Sequence, residues 1–247
     1  MAVIEKKDLH MGRLLNRYKR FLADVELEDG SIITAHCTNT GSMKSCWESG
    51  DFVLLEHHES ATRKLKYTWL ACQRNGHWVG VETGMPNRVV AAAALLDHLP
   101  GLPGLKSVVT EQKYGHENSR IDVLASDQQG RRVFIEIKNT TLKMDDHALF
   151  PDAITERGTK HLRELQSVVK EGHRAAIVFF IHRTDVQAFD AGREIDLVYG
   201  EELDRAANNG VEVLPLRVDL SAQKQDNGLW CFRWNLVGLF PWIRRDL

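Results

Sequence analysis

The 247-residue chain lacks the features that mark membrane, secreted and fibrous proteins. It contains no uninterrupted apolar run of about 18 residues, which a membrane-spanning helix requires. Its first eight residues lack the apolar core of a signal peptide, and it shows neither internal repeats nor low-complexity segments. The sequence therefore predicts a soluble, cytoplasmic, globular protein without a membrane partner.

Cysteine is scarce, and its spacing argues against a zinc site. The four cysteines show no Cys-x-x-Cys spacing, and they are Cys37, Cys46, Cys72 and Cys231. Structural zinc usually needs closer pairs, so we interpret these residues as buried reduced thiols of a cytosolic protein. The adjacent His57 and His58 are interpreted as surface residues rather than as a ligand pair.

An excess of positive charge is also missing. The chain has 32 Lys and Arg against 34 Asp and Glu, a formal net charge of −2 at pH 7. A globally basic nucleic-acid-binding surface is therefore excluded, and any DNA site has to be a local patch, because individual Lys and Arg side chains make the phosphate contacts. The hydrophobic content of 43% and charged content of 27% are typical of globular proteins.

Short apolar runs separated by turn signals fill the first third of the chain. The predicted strands are residues 22–27, 31–37, 52–55, 70–72 and 78–81. Glu28-Asp29-Gly30 and Asn75-Gly76 are hairpin turns between them. Short strands in this arrangement predict a small Greek-key barrel of the OB type. We assign residues 1–83 to this OB-like, nucleic-acid-binding domain.

Basic and aromatic residues of the barrel are candidate DNA contacts, because OB barrels often bind nucleic acid through basic grooves and aromatic platforms. The candidates are Arg17, Lys19, Arg20, Arg63, Lys64, Lys66 and Tyr67. The alternative is that they form solvated faces with ordinary core aromatics. The small polar residues 38–44 form a loop that is either a plain turn or a source of backbone and hydroxyl donors to a phosphate.

Helical and strand patterns alternate in the second part of the chain, after a junction at residues 84–87. Helices are predicted at residues 88–99, with Asn87 as the cap, at about 150–172 and at 200–210. Strands are predicted at residues 107–113, 121–125, 133–138, 175–181 and 211–218. This order predicts a mixed α/β sandwich over residues 84–220. Residues 221–247 form a tail to which the sequence assigns no role.

The second part of the chain is organised around residues 119–142, where two apolar strands flank the polar turn 127–132. Side chains alternate along a strand, so Glu136 and Lys138 lie on the same face. If the two strands pair antiparallel, Asp122 lies beside Glu136. Two carboxylates and one lysine then converge within an otherwise apolar sheet.

This trio of side chains is typical of metal-dependent DNA cleavage. Carboxylate oxygens suit Mg²⁺ or Mn²⁺, so we predict Asp122, Glu136 and the carbonyl of Ile137 as metal ligands. Such an ion polarises a phosphodiester, and Lys138 would orient or deprotonate a water. Glu111, on the preceding strand, is a further candidate catalytic acid. The alternative is a Glu–Lys pair on a solvated strand edge, but charges in strands that are apolar on both faces need a partner or an ion.

The second predicted helix carries a basic face. Arg157, Lys160 and His161 stand at positions i, i+3 and i+4, so they share one side of the helix. We predict that they face DNA phosphates across a cleft. A salt-bridged surface face is the alternative.

Several motifs, in order along the chain, resemble the sugar fermentation stimulation protein A (SfsA) family. They are NRYKRFLAD (16–24), HCTNTGSM (36–43), KYG (113–115), SRID (119–122), EIK (136–138) and FPDAITERGTKHLREL (150–165). The resemblance spans roughly residues 13–220. It implies an OB-like N-terminal domain and a C-terminal domain of the PD-(D/E)xK nuclease-like fold. It also implies DNA binding without strong sequence preference and a link to the regulation of maltose and other sugar metabolism in bacteria.

Carried over residue by residue, the resemblance puts Asp122, Glu136 and Lys138 on the nuclease-like core positions. The chain departs from the pattern at two positions: Ile121 precedes Asp122 where the superfamily motif has proline, and Thr38 stands where the family usually has proline. The predicted function is a DNA-binding protein with a nuclease-like metal site. An active Mg²⁺- or Mn²⁺-dependent endo- or exonuclease and an RNA- or nucleotide-directed hydrolase remain alternatives.

Overall fold

The computed structural model describes residues 3–114 and 119–244, and most of its strands join one twelve-stranded sheet. The N-terminal strands are β1 (Val3–Tyr18), β2 (Leu22–Leu27), β3 (Ile32–Cys37), β4 (Phe52–His57), β5 (Tyr67–Arg74) and β6 (His77–Gly80). The C-terminal part begins with α1 (Met85–Leu95), β7 (Lys106–Tyr114), β8 (Ser119–Ser126), β9 (Arg132–Thr140), β10 (Leu142–Met144), β11 (His147–Phe150) and α2 (Glu156–Lys170). It ends with β12 (Arg174–Ile181), β13 (Ala188–Ala191), α3 (Leu197–Asn208), β14 (Glu212–Lys224), β15 (Trp230–Leu239) and β16 (Trp242–Ile243). None of the helices within the two described ranges is long and apolar enough to cross a membrane.

The N-terminal barrel contains the predicted strands and one long strand that the sequence analysis missed. β1 has 16 residues and pairs antiparallel with β2 and β4. Leu14 points into the barrel core while Arg13 and Leu15 are exposed. Because charged residues interrupt the apolar ones in this segment, the sequence shows no clear alternation of apolar and polar residues. Gly12 permits the close approach to β2, because a Cβ at that position would lie 2.6 Å from the carbonyl oxygen of Glu26.

The C-terminal domain confirms the predicted mixed α/β sandwich. β12 pairs parallel with β9 and β14, while β7, β8 and β9 form an antiparallel meander. α1 covers one face of this sheet through Val89 and Ala93, and α2 covers the other through Leu162 and Leu165. Because both faces are covered, every residue of β12 except Arg174 is buried.

Much of the predicted tail 221–247 belongs to the large sheet, which takes in the end of β14 and all of β15 up to Leu239. β14 runs on to Lys224, and the chain turns back into β15, which is antiparallel to β14 and to the first half of β1. Phe232 and Trp234 of β15 are fully buried, with ring centroids 4.5 Å apart. β15 therefore joins the sheet of the barrel to that of the α/β domain. Residues 245–247 lie outside the described part of the chain.

A second, four-stranded sheet was not predicted. It has the order β10-β11-β13-β16, and its strands have two to four residues. Runs this short do not show a periodic pattern that distinguishes a strand from a loop.

Helix α1 begins and ends earlier than predicted. It starts at Met85 with Pro86 in its first turn, so Asn87 lies inside the helix and does not cap it. Proline suits this place because the first N–H groups of a helix have no intrahelical partner. The helix ends at Leu95 rather than at residue 99.

Helix α2 begins later than predicted, because Thr155 caps it. The Thr155 hydroxyl accepts a hydrogen bond from the Gly158 N–H at 3.1 Å, and its own N–H donates to Asp196 at 2.8 Å. Ala153 and Ile154, which lie inside the predicted range of about 150–172, precede the helix and are exposed.

Arg183 connects the α/β domain to the barrel through hydrogen bonds. Its guanidinium, 1% exposed, donates to both carboxylate oxygens of Asp185 at 2.7 and 2.8 Å. It also donates to the Ser45 hydroxyl at 3.2 Å and to the carbonyl of Thr141. Burial acts to raise the pKa of Asp185, but the hydrogen bonds and charge of Arg183 lower that pKa to about 2. The hydrogen bond to Ser45 of the barrel is therefore donated by an arginine whose buried charge is offset by Asp185 of its own domain.

Replacing Arg183 with methionine should lower the free energy of unfolding by about 3–5 kcal/mol, because Asp185 is left charged and without this partner. Urea unfolding followed by tryptophan fluorescence measures the change. Arg217→Met is the control, since its exposed side chain pairs with Asp219 at 3.5 Å and should contribute less than about 1 kcal/mol. Equal losses in the two variants would contradict the role assigned to Arg183.

Candidate functional site

The strands β8 and β9 separate at Asp122. Their antiparallel register runs from Ser126↔Arg132 to Val123↔Ile135 and ends there. The next residue, Asp122, places its carboxylate at this opening, where Oδ2 accepts a hydrogen bond from the Ile137 N–H at 2.7 Å. Oδ1 accepts another from the Asn87 side chain of α1 at 3.0 Å. Asp122 is thereby held at the edge of the opened strand pair.

Glu136 occupies the α2 side of β9 and is 3% exposed. Its Oε1 accepts hydrogen bonds from Lys138 Nζ at 2.8 Å and from His161 Nδ1. Its Oε2 is buried and has no hydrogen-bond partner among the described residues. A buried carboxylate oxygen without a partner is destabilising, so this atom is where a further donor or a cation would bind.

His161 supports Glu136 from helix α2. The imidazole is 4% exposed, and its Nε2 accepts a hydrogen bond from Arg157 Nε at 3.4 Å. That bond assigns the proton to Nδ1, which donates to Glu136. The prediction that His161 faces DNA phosphates is therefore corrected, because the side chain points inward at a carboxylate. Arg157 remains exposed and Lys160 is half-buried.

The two carboxylates are shifted in opposite directions. Burial and the charge of Glu136 raise the pKa of Asp122 to about 6, against the hydrogen bonds from Ile137 and Asn87. Burial acts to raise the pKa of Glu136 as well, but the hydrogen bond from His161 and the charge of Lys138 outweigh it, so that pKa lies below its ordinary value. Neighbouring carboxyl groups with separated pKa values can serve different roles. Glu136 therefore stays ionised at neutral pH, whereas Asp122 takes up a proton as the pH falls towards about 6.

The chemistry of these donors fits a divalent cation. Asp122 and Glu136 supply carboxylate oxygens, which Mg²⁺, Mn²⁺ and Ca²⁺ prefer. Within residues 3–114 and 119–244, no three His, Cys, Asp or Glu side chains are grouped closely enough to enclose an ion. Two carboxylates completed by carbonyl, water or phosphate oxygens are the usual arrangement for Mg²⁺. Ligation by the carbonyl of Ile137 stays a prediction.

Glu111 lies on the edge strand β7, with an exposed side chain and a φ of 55°. The register places its neighbours Thr110 and Gln112 opposite Val123 and Ile121 of β8. No contact with the two carboxylates of the site is recorded for it in the described part of the chain. Its role as a catalytic acid stays a prediction.

Two of the predicted DNA contacts in the barrel support a loop. Arg17 Nη2 donates to three backbone carbonyls, those of Arg20 at 2.6 Å, Asn39 at 2.9 Å and Gly41 at 3.1 Å. Arg20 Nε donates to the carbonyl of Thr40 at 2.9 Å. The loop formed by residues 38–43 reaches the α/β domain, where Ser42 donates to Asp152 at 3.3 Å. Lys19, at the β1–β2 turn, is exposed.

The other predicted contacts of the barrel lie around the loop between β4 and β5. Arg63 donates to the Thr68 hydroxyl at 2.6 Å, and Lys66 donates to the carbonyl of Ser60. Lys64 is exposed, and Tyr67 packs its ring 4.8 Å from that of His57. These residues do not contact the carboxylates of β8 and β9, and DNA binding by them stays a prediction.

Sequence reasoning missed three residues near the carboxylates. Asn87 is predicted only as a helix cap, Glu164 of α2 has no predicted role, and Tyr114 belongs to a motif whose Gly115 lies outside the described residues. Tyr114 is 9% exposed, and burial with the charges of Glu136, Glu164 and Asp122 raises the pKa of its hydroxyl. Glu164 follows His161 by three residues, so helical spacing could have placed it on the same side of α2.

Asp122→Asn should stabilise the protein at pH 7.5 in the absence of divalent cations. The folded-state pKa of about 6 exceeds the unfolded value of about 3.9, so stability falls as the pH rises between these values. Removing the charge should raise the free energy of unfolding by about 1–3 kcal/mol at pH 7.5 and have little effect near pH 4.

Urea unfolding of both proteins at the two pH values, in EDTA, measures this change. Asp219→Asn is the control, because Asp219 is 49% exposed and pairs with Arg217 at the surface. A gain of the same size at both pH values would contradict the proposed titration of Asp122.

Comparison with known proteins gives a consistent family assignment. Residues 15–81 match the model of the SfsA N-terminal OB domain, and residues 84–224 match that of the sugar fermentation stimulation protein RE domain. A sugar fermentation stimulation protein homolog of Geobacter metallireducens is 47% identical over 209 residues, which cover 85% of this chain and 90% of that one. The homolog of Citrifermentans bemidjiense is 46% identical over 213 residues, which cover 86% and 91%. The solved structure of Pyrococcus furiosus SfsA in complex with Ca²⁺ is 25% identical, has a TM-score of 0.79, and aligns over 99% of this chain and 100% of that one.

Proposed function

The chain belongs to the sugar fermentation stimulation protein (SfsA) family, and we propose that it binds DNA and cleaves it at a divalent-metal centre formed by Asp122 and Glu136. The observation that carries this proposal is the Oε2 atom of Glu136, which is buried and has no hydrogen-bond partner in the part of the chain that the structure describes, while Oε1 accepts hydrogen bonds from Lys138 and His161. The Pyrococcus furiosus relative solved with Ca²⁺ supports a cation site in this fold.

Asp122, Glu136 and the carbonyl of Ile137 would hold the cation, with Mg²⁺ or Mn²⁺ as the proposed metals. When bound, the cation supplies charge that polarises a phosphodiester and offsets the negative charge of its transition state. The Ile137 N–H and the Asn87 side chain orient the carboxylate of Asp122. His161 orients that of Glu136.

Lys138 has two roles in this proposal. Its Nζ lies 2.8 Å from Glu136, and the side chain is 12% exposed. Its charge helps to keep the pKa of Glu136 low, so that the carboxylate stays ionised. An ammonium in this position also orients a water or a phosphate oxygen at the scissile bond.

Three exposed cations, each on a different element, are close in sequence to residues that form or support the site. Arg88 follows Asn87 on α1, Arg120 lies two residues before Asp122 on β8, and Arg157 contacts His161 on α2. We propose that these three side chains contact phosphates, together with Lys160 and the basic residues of the barrel. Phosphate contacts carry no base information, so we expect binding without strong sequence preference.

A DNA-binding regulator without turnover is the second candidate. It is favoured by the ion pair between Lys138 and Glu136, which engages the lysine before any substrate arrives. Regulation of sugar-metabolism genes, including those for maltose, belongs to this candidate. It predicts DNA affinity with no metal-dependent cleavage. An RNA-directed hydrolase would instead show preference for RNA at matched salt.

Metal-dependent cleavage is tested with labelled single-stranded, duplex and branched DNA and with RNA, in Mg²⁺ or Mn²⁺. Glu136→Gln and Lys138→Met should each lower the cleavage rate by about 100-fold or more, with DNA binding by gel shift retained. Glu201→Gln is the control, because Glu201 is an exposed carboxylate of α3. If the parent binds DNA but cleaves none of these substrates, the nuclease proposal fails and the regulator stands.

The phosphate contacts are tested by the salt dependence of DNA binding. Arg120→Gln and Arg157→Gln should each reduce the slope of log affinity against log salt by about 0.9, because each removes one phosphate contact. Arg217→Gln, on β14, should leave the slope unchanged. Unchanged slopes in the first two variants would place the DNA on another surface.

A further inference from the structure

A groove of about 300 Å³ lies between α2 and the strands β7, β8 and β9. Phe134 lines it and stands two residues before Glu136 on the same side of β9. Glu164 lines it from α2, one helical turn beyond His161. The groove is therefore next to the proposed metal centre, but its lining includes neither Asp122 nor Glu136.

Three aromatic rings follow one another along this groove. The ring of Tyr114 lies 5.5 Å from that of Phe134, and the ring of Phe134 lies 5.9 Å from that of His173, each pair tilted by about 40°. Leu124 and Val168 line the groove beside them. An apolar, aromatic wall of this kind suits a flat ring system, because every nucleobase presents a π-face to an aromatic side chain.

Glu164 gives the groove an unpartnered carboxylate. It is 7% exposed, and both of its oxygens are buried without a hydrogen-bond partner in the described chain. The Tyr114 hydroxyl is buried without a partner as well. A carboxylate in these surroundings is strongly destabilised unless donors reach it. Its two oxygens lie side by side, so they match a ligand with two adjacent N–H donors.

The exposed lining of the groove is mainly positive. Lys113, Arg132 and Arg163 line it with exposed side chains, and Arg163 Nε lies 3.8 Å from a carboxylate oxygen of Glu202. The acid Glu171 also lines the groove and is exposed. Three cations against one exposed acid favour an anionic group on the ligand. The ligand thus combines a flat apolar body, two adjacent N–H donors and an anionic group.

We propose that this groove binds a guanine nucleotide, with the Watson–Crick edge of the base at Glu164 and the phosphate near Lys113, Arg132 and Arg163. The N1–H and 2-amino groups of guanine are adjacent donors that match a carboxylate, whereas adenine presents an acceptor at N1. The guanine belongs either to a nucleic acid at the neighbouring centre or to a free nucleotide. The first source rests on the proposed function, and the second does not.

Calorimetric titration of the full chain with GMP, IMP and AMP, in EDTA, tests the groove without any metal. GMP should bind at least about 10-fold more tightly than AMP, with IMP, which lacks the 2-amino group, in between. Glu164→Gln should weaken GMP binding by about 10-fold or more and leave AMP binding unchanged. Glu171→Gln is the matched control in the same groove and should keep the preference for GMP.

A second experiment tests the contacts with the phosphate of the nucleotide and checks that the variants are folded. Arg132→Gln should weaken binding of GMP but not of guanosine, and thermal unfolding should show that each variant keeps its transition. Equal binding of GMP and AMP, or an unchanged preference in Glu164→Gln, would overturn the proposal. A calcium titration in which Glu164→Gln loses one of two ions would also overturn it, because the carboxylate would then be a metal ligand.

Oligonucleotides separate the two sources of guanine. If the groove reads a base of bound nucleic acid, replacing guanine by inosine in a single-stranded oligonucleotide should weaken its binding by the same factor as IMP against GMP. If the inosine substitution leaves oligonucleotide binding unchanged while GMP still binds more tightly than IMP, the ligand is a free nucleotide. Because no step needs metal or cleavage, failure of the nuclease proposal leaves these outcomes unaffected.

Discussion

The buried carboxylate of Glu136 is the interaction on which the arrangement of the C-terminal domain depends. An ionised carboxylate at 3% exposure is tolerated only when donors offset its lost hydration. Lys138 supplies one donor from the same strand, and His161 supplies the other from α2. The position of α2 therefore matters as much as that of β9. The Thr155 cap and its bond to Asp196 set where that helix begins.

The two domains are connected by a shared sheet and by hydrogen bonds. β15 pairs with both β1 and β14, so the barrel is part of the same sheet that carries the carboxylates. Arg183 secures the loop that contains Ser45, and Asp152 secures residues 38–43. A cavity of about 310 Å³ lies between the loop of residues 38–43 and the residues Asn139, on β9, and Thr141, which directly follows that strand. The shared sheet and these hydrogen bonds hold the barrel against the domain that carries the proposed centre.

The opposite pKa shifts of Asp122 and Glu136 follow from their different neighbours. Glu136 has a cation and an imidazole N–H, whereas Asp122 has two neutral N–H donors and faces the charge of Glu136. A divalent cation would remove this repulsion, which is the physical reason for the proposed metal centre. Among the described residues, no hydrogen-bond donor reaches the Glu164 carboxylate, and the proposed nucleotide would supply two. The two proposed functions thus depend on different carboxylates, those of Asp122 and Glu136 for the cation and that of Glu164 for the nucleotide.

Local pattern by itself determined the barrel strands β2–β6, the apolar strand β12 and the shared face of Glu136 and Lys138, because alternation and turn residues act over a few positions. The predictions from local pattern were wrong where contacts with distant segments decide the structure. α2 begins after Thr155 rather than at the preceding residues. The sequences of β1 and β15 are charged or irregular, and these segments form strands because they pair with each other and with other strands. Only the tertiary structure brought Asn87 to Asp122, His161 to Glu136 and Tyr114 beside Glu164. These contacts join residues 25 to 50 positions apart, and the burial and charges that set each carboxylate's ionisation arise through space, where sequence spacing carries no information.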